Sequence, residues 1–147
     1  MMIESVYTKH IYPISAGETV LFKTLVVILT IQKFGEVTLP KLQMYLWSLK
    51  NEDNRNKLIA LRKSKRITEA PWILENDVMQ VVTQCLCNHL IKVEMNKSGK
   101  ISYTLDLGSS EFLQAITDTD LVKDIRDELD GIGGLTDKLL EQLEFVF

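Results

Sequence analysis

Residues that crosslink, ligate or interrupt a chain are scarce in this sequence. Of 147 residues, two are cysteine, two histidine, three proline and seven glycine. Two cysteines as close as Cys85 and Cys87 make no disulfide framework, which points to a reduced, intracellular protein. Zinc needs about four converging ligands. Cys85, Cys87 and His89 fall on a helical pattern where positions i and i+2 diverge by roughly 200°, and the other histidine, His10, is distant in sequence. No metal and no cofactor are expected. Long apolar runs are also missing. Val20–Ile31 is the most apolar stretch, contains Lys23, and would span roughly 18 Å as a helix, short of the ~20 residues a bilayer needs. No membrane span or secretion signal is expected, and the expected location is cytoplasmic.

The motifs of common catalysts are absent too. There is no GxxxxGK[ST] and no GxSxG, and Gly131-Ile132-Gly133-Gly134 lacks both a following Lys-Ser/Thr and a preceding strand. No nucleophile has an obvious base, so neither enzymatic activity nor a small-molecule substrate is expected.

What the sequence does hold is a polarised charge. The formal net charge is −3, but residues 1–70 balance to +5, residues 71–105 to zero, and residues 106–147 to −8. Such a chain asks for two different neighbours, or for one neighbour and water. The cations are densest at Arg62, Lys63, Lys65 and Arg66, with Lys97 and Lys100 further on. These six are the candidates for contact with double-stranded DNA. Contacts to phosphate give affinity that depends on salt and ignores sequence.

Helical periodicity dominates. Ser15 and Glu18 form a capping box ahead of a first helix running from about Ala16 to Lys33 and stopped by Gly35. Apolar residues surround this helix, which predicts a central core position. Thr38 before Pro40 predicts the start of a second helix, with Leu42, Tyr45, Leu46 and Leu49 on one face and Trp47 off that stripe. A third runs through Leu58, Ile59 and Leu61 into the basic run, and a fourth spans Leu74–His89. The period then changes to two over residues 90–95 and 101–105, around the turn residues Asn96–Lys100, which predicts a hairpin. Ser109 or Ser110 is placed to cap a short helix through Phe112, Leu113 and Ile116. Two acidic amphipathic segments follow, separated by the glycines at 131–134, with Thr136 capping the second.

This order predicts a mainly α (α+β) chain: an arm at 1–14, a winged-helix domain at 15–117 with one β-hairpin wing, and a helical tail at 118–147. The presumed recognition helix, Leu74–His89, carries no Lys or Arg, only Glu75, Asp77 and a neutral stripe of Asn76, Gln80, Gln84 and Asn88. Base reading by that helix is therefore disfavoured. The tail exposes much apolar surface unless it docks, on its own domain or on another chain. Leu139, Leu143, Phe145 and Phe147 are the tail's candidate partner anchors, alongside Tyr7 and Tyr12 in the arm and Trp47.

Tyr12-Pro13, the stretch Gly17–Lys23 at the head of an apolar helix, the later hairpin and the acidic helical end together resemble the small accessory subunits of bacterial anti-phage systems built on an SMC-like ABC ATPase. These are the Lamassu small subunit and the middle component of ABC-three-component systems. The resemblance implies a non-catalytic winged-helix adaptor that binds the ATPase near its heads. It further implies coupling of DNA sensing to an effector, commonly a nuclease. No catalytic residue carries over, and the run Arg62–Arg66 has no fixed counterpart in the family. The alternative is a stand-alone winged-helix transcription regulator.

Overall fold

The apolar helix near the start of the sequence is the axis around which the rest assembles. The computed structural model describes residues 20–64, 78–116 and 119–144, with side chains for all of these except 62–64 and 141–144. Helix α1 spans Val20–Phe34, and its residues from Phe22 to Ile31 are all buried. An apolar helix with no polar face is stable only when neighbours cover every side. Strands β1 (Val37–Thr38) and β3 (Ile101–Leu105) and helices α2 (Leu39–Ser48), α4 (Val78–Cys87) and α6 (Thr119–Ile132) do so. The capping box at Ser15 and Glu18 lies outside the described residues. Gly35 ends α1 with φ +86°, its amide donating to the Ile31 carbonyl at 2.7 Å, a left-handed stop that glycine adopts without strain.

Strand β1 is only Val37–Thr38, and helix α2 follows at once over Leu39–Ser48. Thr38, expected as a helix cap, is extended and makes no side-chain capping bond. Its backbone serves the sheet instead, and Pro40 in the first turn starts the helix. Helix α3 spans Glu52–Ser64, and Asn51 Oδ1 accepts from the Asn54 amide at 2.8 Å, so the polar break is itself the cap.

Helix α4 spans Val78–Cys87; the expected start at Leu74 falls outside the described residues. It ends in a Schellman turn: the Leu90 amide donates to the Cys85 carbonyl at 2.9 Å and the His89 amide to Leu86 at 3.2 Å. His89 occupies the left-handed position, φ 59°, that glycine usually fills.

Strands β2 (Ile91–Met95) and β3 (Ile101–Leu105) form the expected hairpin. Asn96 Oδ1 accepts from the amides of Ser98 and Lys100, which closes the turn. A third strand, not expected from the sequence, completes an antiparallel sheet of order β1-β3-β2, with Val37 opposite Tyr103.

Helix α5 spans Gly108–Ala115. Neither serine caps it. Leu107 holds that position, and Ser109 Oγ donates back to the Asp106 carbonyl at 2.8 Å.

Helices α6 (Thr119–Ile132) and α7 (Asp137–Glu144) form the C-terminal segment. Helix α6 includes Gly131 and Ile132 and stops at Gly133, within the expected interruption, and Thr136 Oγ1 accepts from the Leu139 amide at 3.1 Å, the expected cap. This segment docks within the chain. Ile125, Leu129 and Ile132 are 0–1% exposed and belong to the one core cluster with α1. Full burial of each contributes about 2 kcal/mol, which is the force that seats α6 against α1 and α3. The chain is thus mainly helical with one small antiparallel sheet.

Candidate partner and nucleic-acid interface

Tyr45 explains how the C-terminal segment is held. It projects from α2, is 1% exposed, and stacks on Phe34 with ring centroids 5.4 Å apart. Its hydroxyl donates to the Gly133 carbonyl at 2.8 Å and accepts from the Leu135 amide at 3.1 Å. One phenol therefore satisfies two backbone polar groups of the α6–α7 connection. Periodicity marks Tyr45 as core, but nothing in the sequence reveals the two hydrogen bonds.

The charge polarity resolves in the same way. Arg55 on α3 meets Glu128 on α6 at 2.8 Å, Lys33 on α1 pairs with Asp130, and Arg126 donates to Gln32 at 3.0 Å. Basic front and acidic end are, in part, each other's neighbours. Burial pushes the Glu128 carboxyl above its ordinary range, and the Arg55 guanidinium only partly offsets that.

Asp137, the first residue of α7, lies between Lys41 of α2 at 3.2 Å and Lys100 of the hairpin turn at 3.6 Å. The Lys41 hydrogen bond, with the charges of Lys41 and Lys100, holds its carboxyl below the usual value. Its contribution is therefore present above the ordinary carboxylate range and is lost as pH falls through the depressed value.

The six candidate DNA contacts separate. Lys100 is engaged by Asp137, whereas Lys97 is exposed at the hairpin tip and makes no ion pair among the described residues. Arg62 and Lys63 fall in the last turn of α3, on a helix that packs on α2 and α6 rather than on the hairpin, and their side chains are not among those described. Lys65 and Arg66 lie outside the described residues, as do Tyr7, Tyr12, Phe145 and Phe147. Leu143 is in α7 without a described side chain.

Two partner candidates have visible surroundings. Leu139 is buried at 9% exposure in this chain's own core. Trp47 is half-buried against the core, and its carbonyl accepts from Asn54 Nδ2 at 2.9 Å.

The outward positions of α4 are Met79, Gln80, Thr83, Gln84 and Cys87, none of them charged, and Asn88 is exposed just beyond its end. Asn76 of the neutral stripe lies outside the described residues. Cys85 is buried and Cys87 exposed, and burial pushes the Cys85 thiol up to about 11. Among the described residues no group of three or more His, Cys, Asp or Glu is placed to hold a metal, and no helix is long and apolar enough to cross a membrane. An open groove between α1, α4 and α5, lined by Val20, Leu21, Gln84, Asn88, Leu90 and Phe112, has no charged side chain in its wall. Comparison of the chain with known protein families, with curated proteins and with solved structures gives no match.

Proposed function

We propose that the chain is a non-catalytic winged-helix adaptor, an accessory subunit of an SMC-like ATPase complex in bacterial anti-phage defence, acting in the cytoplasm to couple the ATPase to a nuclease effector. The observation that carries the winged-helix reading is the sheet order β1-β3-β2, with β1 between α1 and α2 and with α4 leading directly into β2. On this reading α4 is the recognition-helix equivalent and the hairpin is the wing. The absence of charge on the outward face of α4 supports the adaptor over the sequence reader, because base-reading helices combine polar side chains with cations that grip phosphate. The ATPase partner rests on the family resemblance alone, carried by Tyr12-Pro13, the stretch Gly17–Lys23, the hairpin and the acidic helical end. Duplex contact falls to Lys97 at the wing tip and to the run Arg62–Arg66, and it is blind to sequence.

The test is co-expression of the full chain with an SMC-like ATPase encoded beside it, followed by size-exclusion chromatography. Co-elution in fixed stoichiometry is expected, and separate elution overturns the adaptor reading. Fluorescence anisotropy with a labelled duplex over a salt series decides between adaptor and regulator. Weak, sequence-independent binding is expected. Asp137→Asn frees Lys100 and steepens the salt dependence by about one released counterion. Tight, sequence-selective binding that survives Arg62/Lys63/Lys65/Arg66→Ala identifies a transcription regulator instead.

A further inference from the structure

Strand β2 is an edge. Its partner β3 lies between it and β1, and no strand covers its other side among the described residues. The backbone on that side is identifiable. The Asn96 amide donates to Lys100 at 2.8 Å and the Asp106 amide donates to Leu90 at 2.9 Å, so the even-numbered residues turn their amides and carbonyls toward β3. Ile91, Val93 and Met95 therefore direct theirs outward.

Edge strands of soluble proteins are commonly blunted by proline, bulges or inward charges. Here β2 is five regular residues, and its distal half is apolar and uncovered: Val93 is 50% exposed and Met95 72%, beside Ile101 at 59% on the same face of the hairpin.

We propose that β2 pairs antiparallel with β2 of a second copy of this chain, about a two-fold axis through Val93. The sequence Ile91-Lys92-Val93-Glu94-Met95 is self-complementary in that register. Val93 stands opposite Val93 of the second copy in a hydrogen-bonded pair, and Ile91 stands opposite Met95. Lys92 and Glu94 stand opposite each other twice, at the closer, non-hydrogen-bonded positions. Lys92 and Glu94 are both exposed; the Glu94 carboxylate accepts from Thr104 Oγ1 of β3 at 2.9 Å, a contact on the inner side of β2 that it would exchange for Lys92 of the second copy.

Neighbouring registers fail on charge. An axis through Lys92 opposes two lysines, and one through Glu94 opposes two glutamates. A slip of a single residue sets outward backbone groups against inward ones and makes no ladder. An isologous contact of this kind closes at two copies, giving one six-stranded sheet and no fibre. The pairing is independent of the ATPase reading, since it uses neither Lys97 nor the run Arg62–Arg66.

Sedimentation equilibrium of the full chain over a concentration series tests it, with circular dichroism to verify folding of each variant. The wild-type chain of 16.8 kDa is expected to pass from monomer to dimer as concentration rises. Lys92→Glu alone opposes two glutamates, Glu94→Lys alone opposes two lysines, and each is expected to weaken self-association about tenfold. An equimolar mixture of the two restores both pairs as a heterodimer and recovers wild-type association. Val93→Pro removes an outward amide that the hairpin does not use, and is expected to abolish the dimer while preserving the fold. A wild-type chain that stays monomeric at its highest soluble concentration overturns the proposal. So do charge variants as dimeric as wild type, or a mixture no more associated than its components.

Discussion

Tyr45→Phe isolates the attachment of the C-terminal segment from everything else in the core. The substitution keeps the ring, its stacking on Phe34 and nearly all of the buried volume, and removes one oxygen. That oxygen serves two groups. The Leu135 amide belongs to a buried residue, and stranding it costs about 1–2 kcal/mol. The Gly133 carbonyl is only partly buried and regains water, so its loss costs about 0.5–1 kcal/mol. The expected destabilisation is about 1.5–3 kcal/mol. For a chain of this size that lowers the melting temperature by about 5–10 °C. Urea titration followed by far-ultraviolet circular dichroism reads the total. Hydrogen exchange reads its location, with the amides of residues 133–140 losing protection before those of α1. A loss under about 0.5 kcal/mol, or exchange that accelerates uniformly, would refute the claim that one phenol pins the α6–α7 connection.

Three further outcomes follow from single sites. Thr30 is fully buried in α1 and its hydroxyl has no hydrogen-bond partner among the described residues, so the near-isosteric Thr30→Val is expected to raise stability by about 1 kcal/mol in urea titration; a loss of that size contradicts the orphan hydroxyl. His89→Gly relieves the left-handed backbone at the end of α4 and is expected to add about 0.5–1 kcal/mol, whereas His89→Val at the same φ is expected to lose stability. With a thiol-reactive disulfide reagent near pH 8, Cys87 is expected to react at once and Cys85, buried and raised to about 11, only on unfolding; two equally fast thiols count against the burial of Cys85.

The hairpin was legible because three local signals coincide: period-two alternation on both sides, a turn sequence between them, and Asn96 to bind the turn's amides. Helix α1 was legible because a segment apolar on every side has one stable location. Strand β1 was not, since two residues carry no period and Thr38 before Pro40 matches a helix start equally well. The C-terminal helices illustrate a deeper limit. An amphipathic pattern shows that a face is buried and not what buries it, so Leu139 looked equally suited to this core or another's. The pairs that decide the matter, Tyr45 with Gly133 and Leu135 and Lys100 with Asp137, join residues far apart in sequence, and no local signal connects them. For the candidate interface the sequence located Lys97 and the neutral face of α4, but not the partner that occupies Lys100.

Strand β1 has a consequence for the order in which the chain folds. Val37 meets Tyr103 across an interval that contains α2, α3, α4 and β2, whereas β2 and β3 meet across a five-residue turn. Closing the short loop is fast and entropically cheap, and closing the long one waits until other contacts hold its ends near each other. The hairpin is therefore expected to form before β1 joins it. Until β1 pairs, β3 has an open edge of its own, which is where mispairing with another strand is expected.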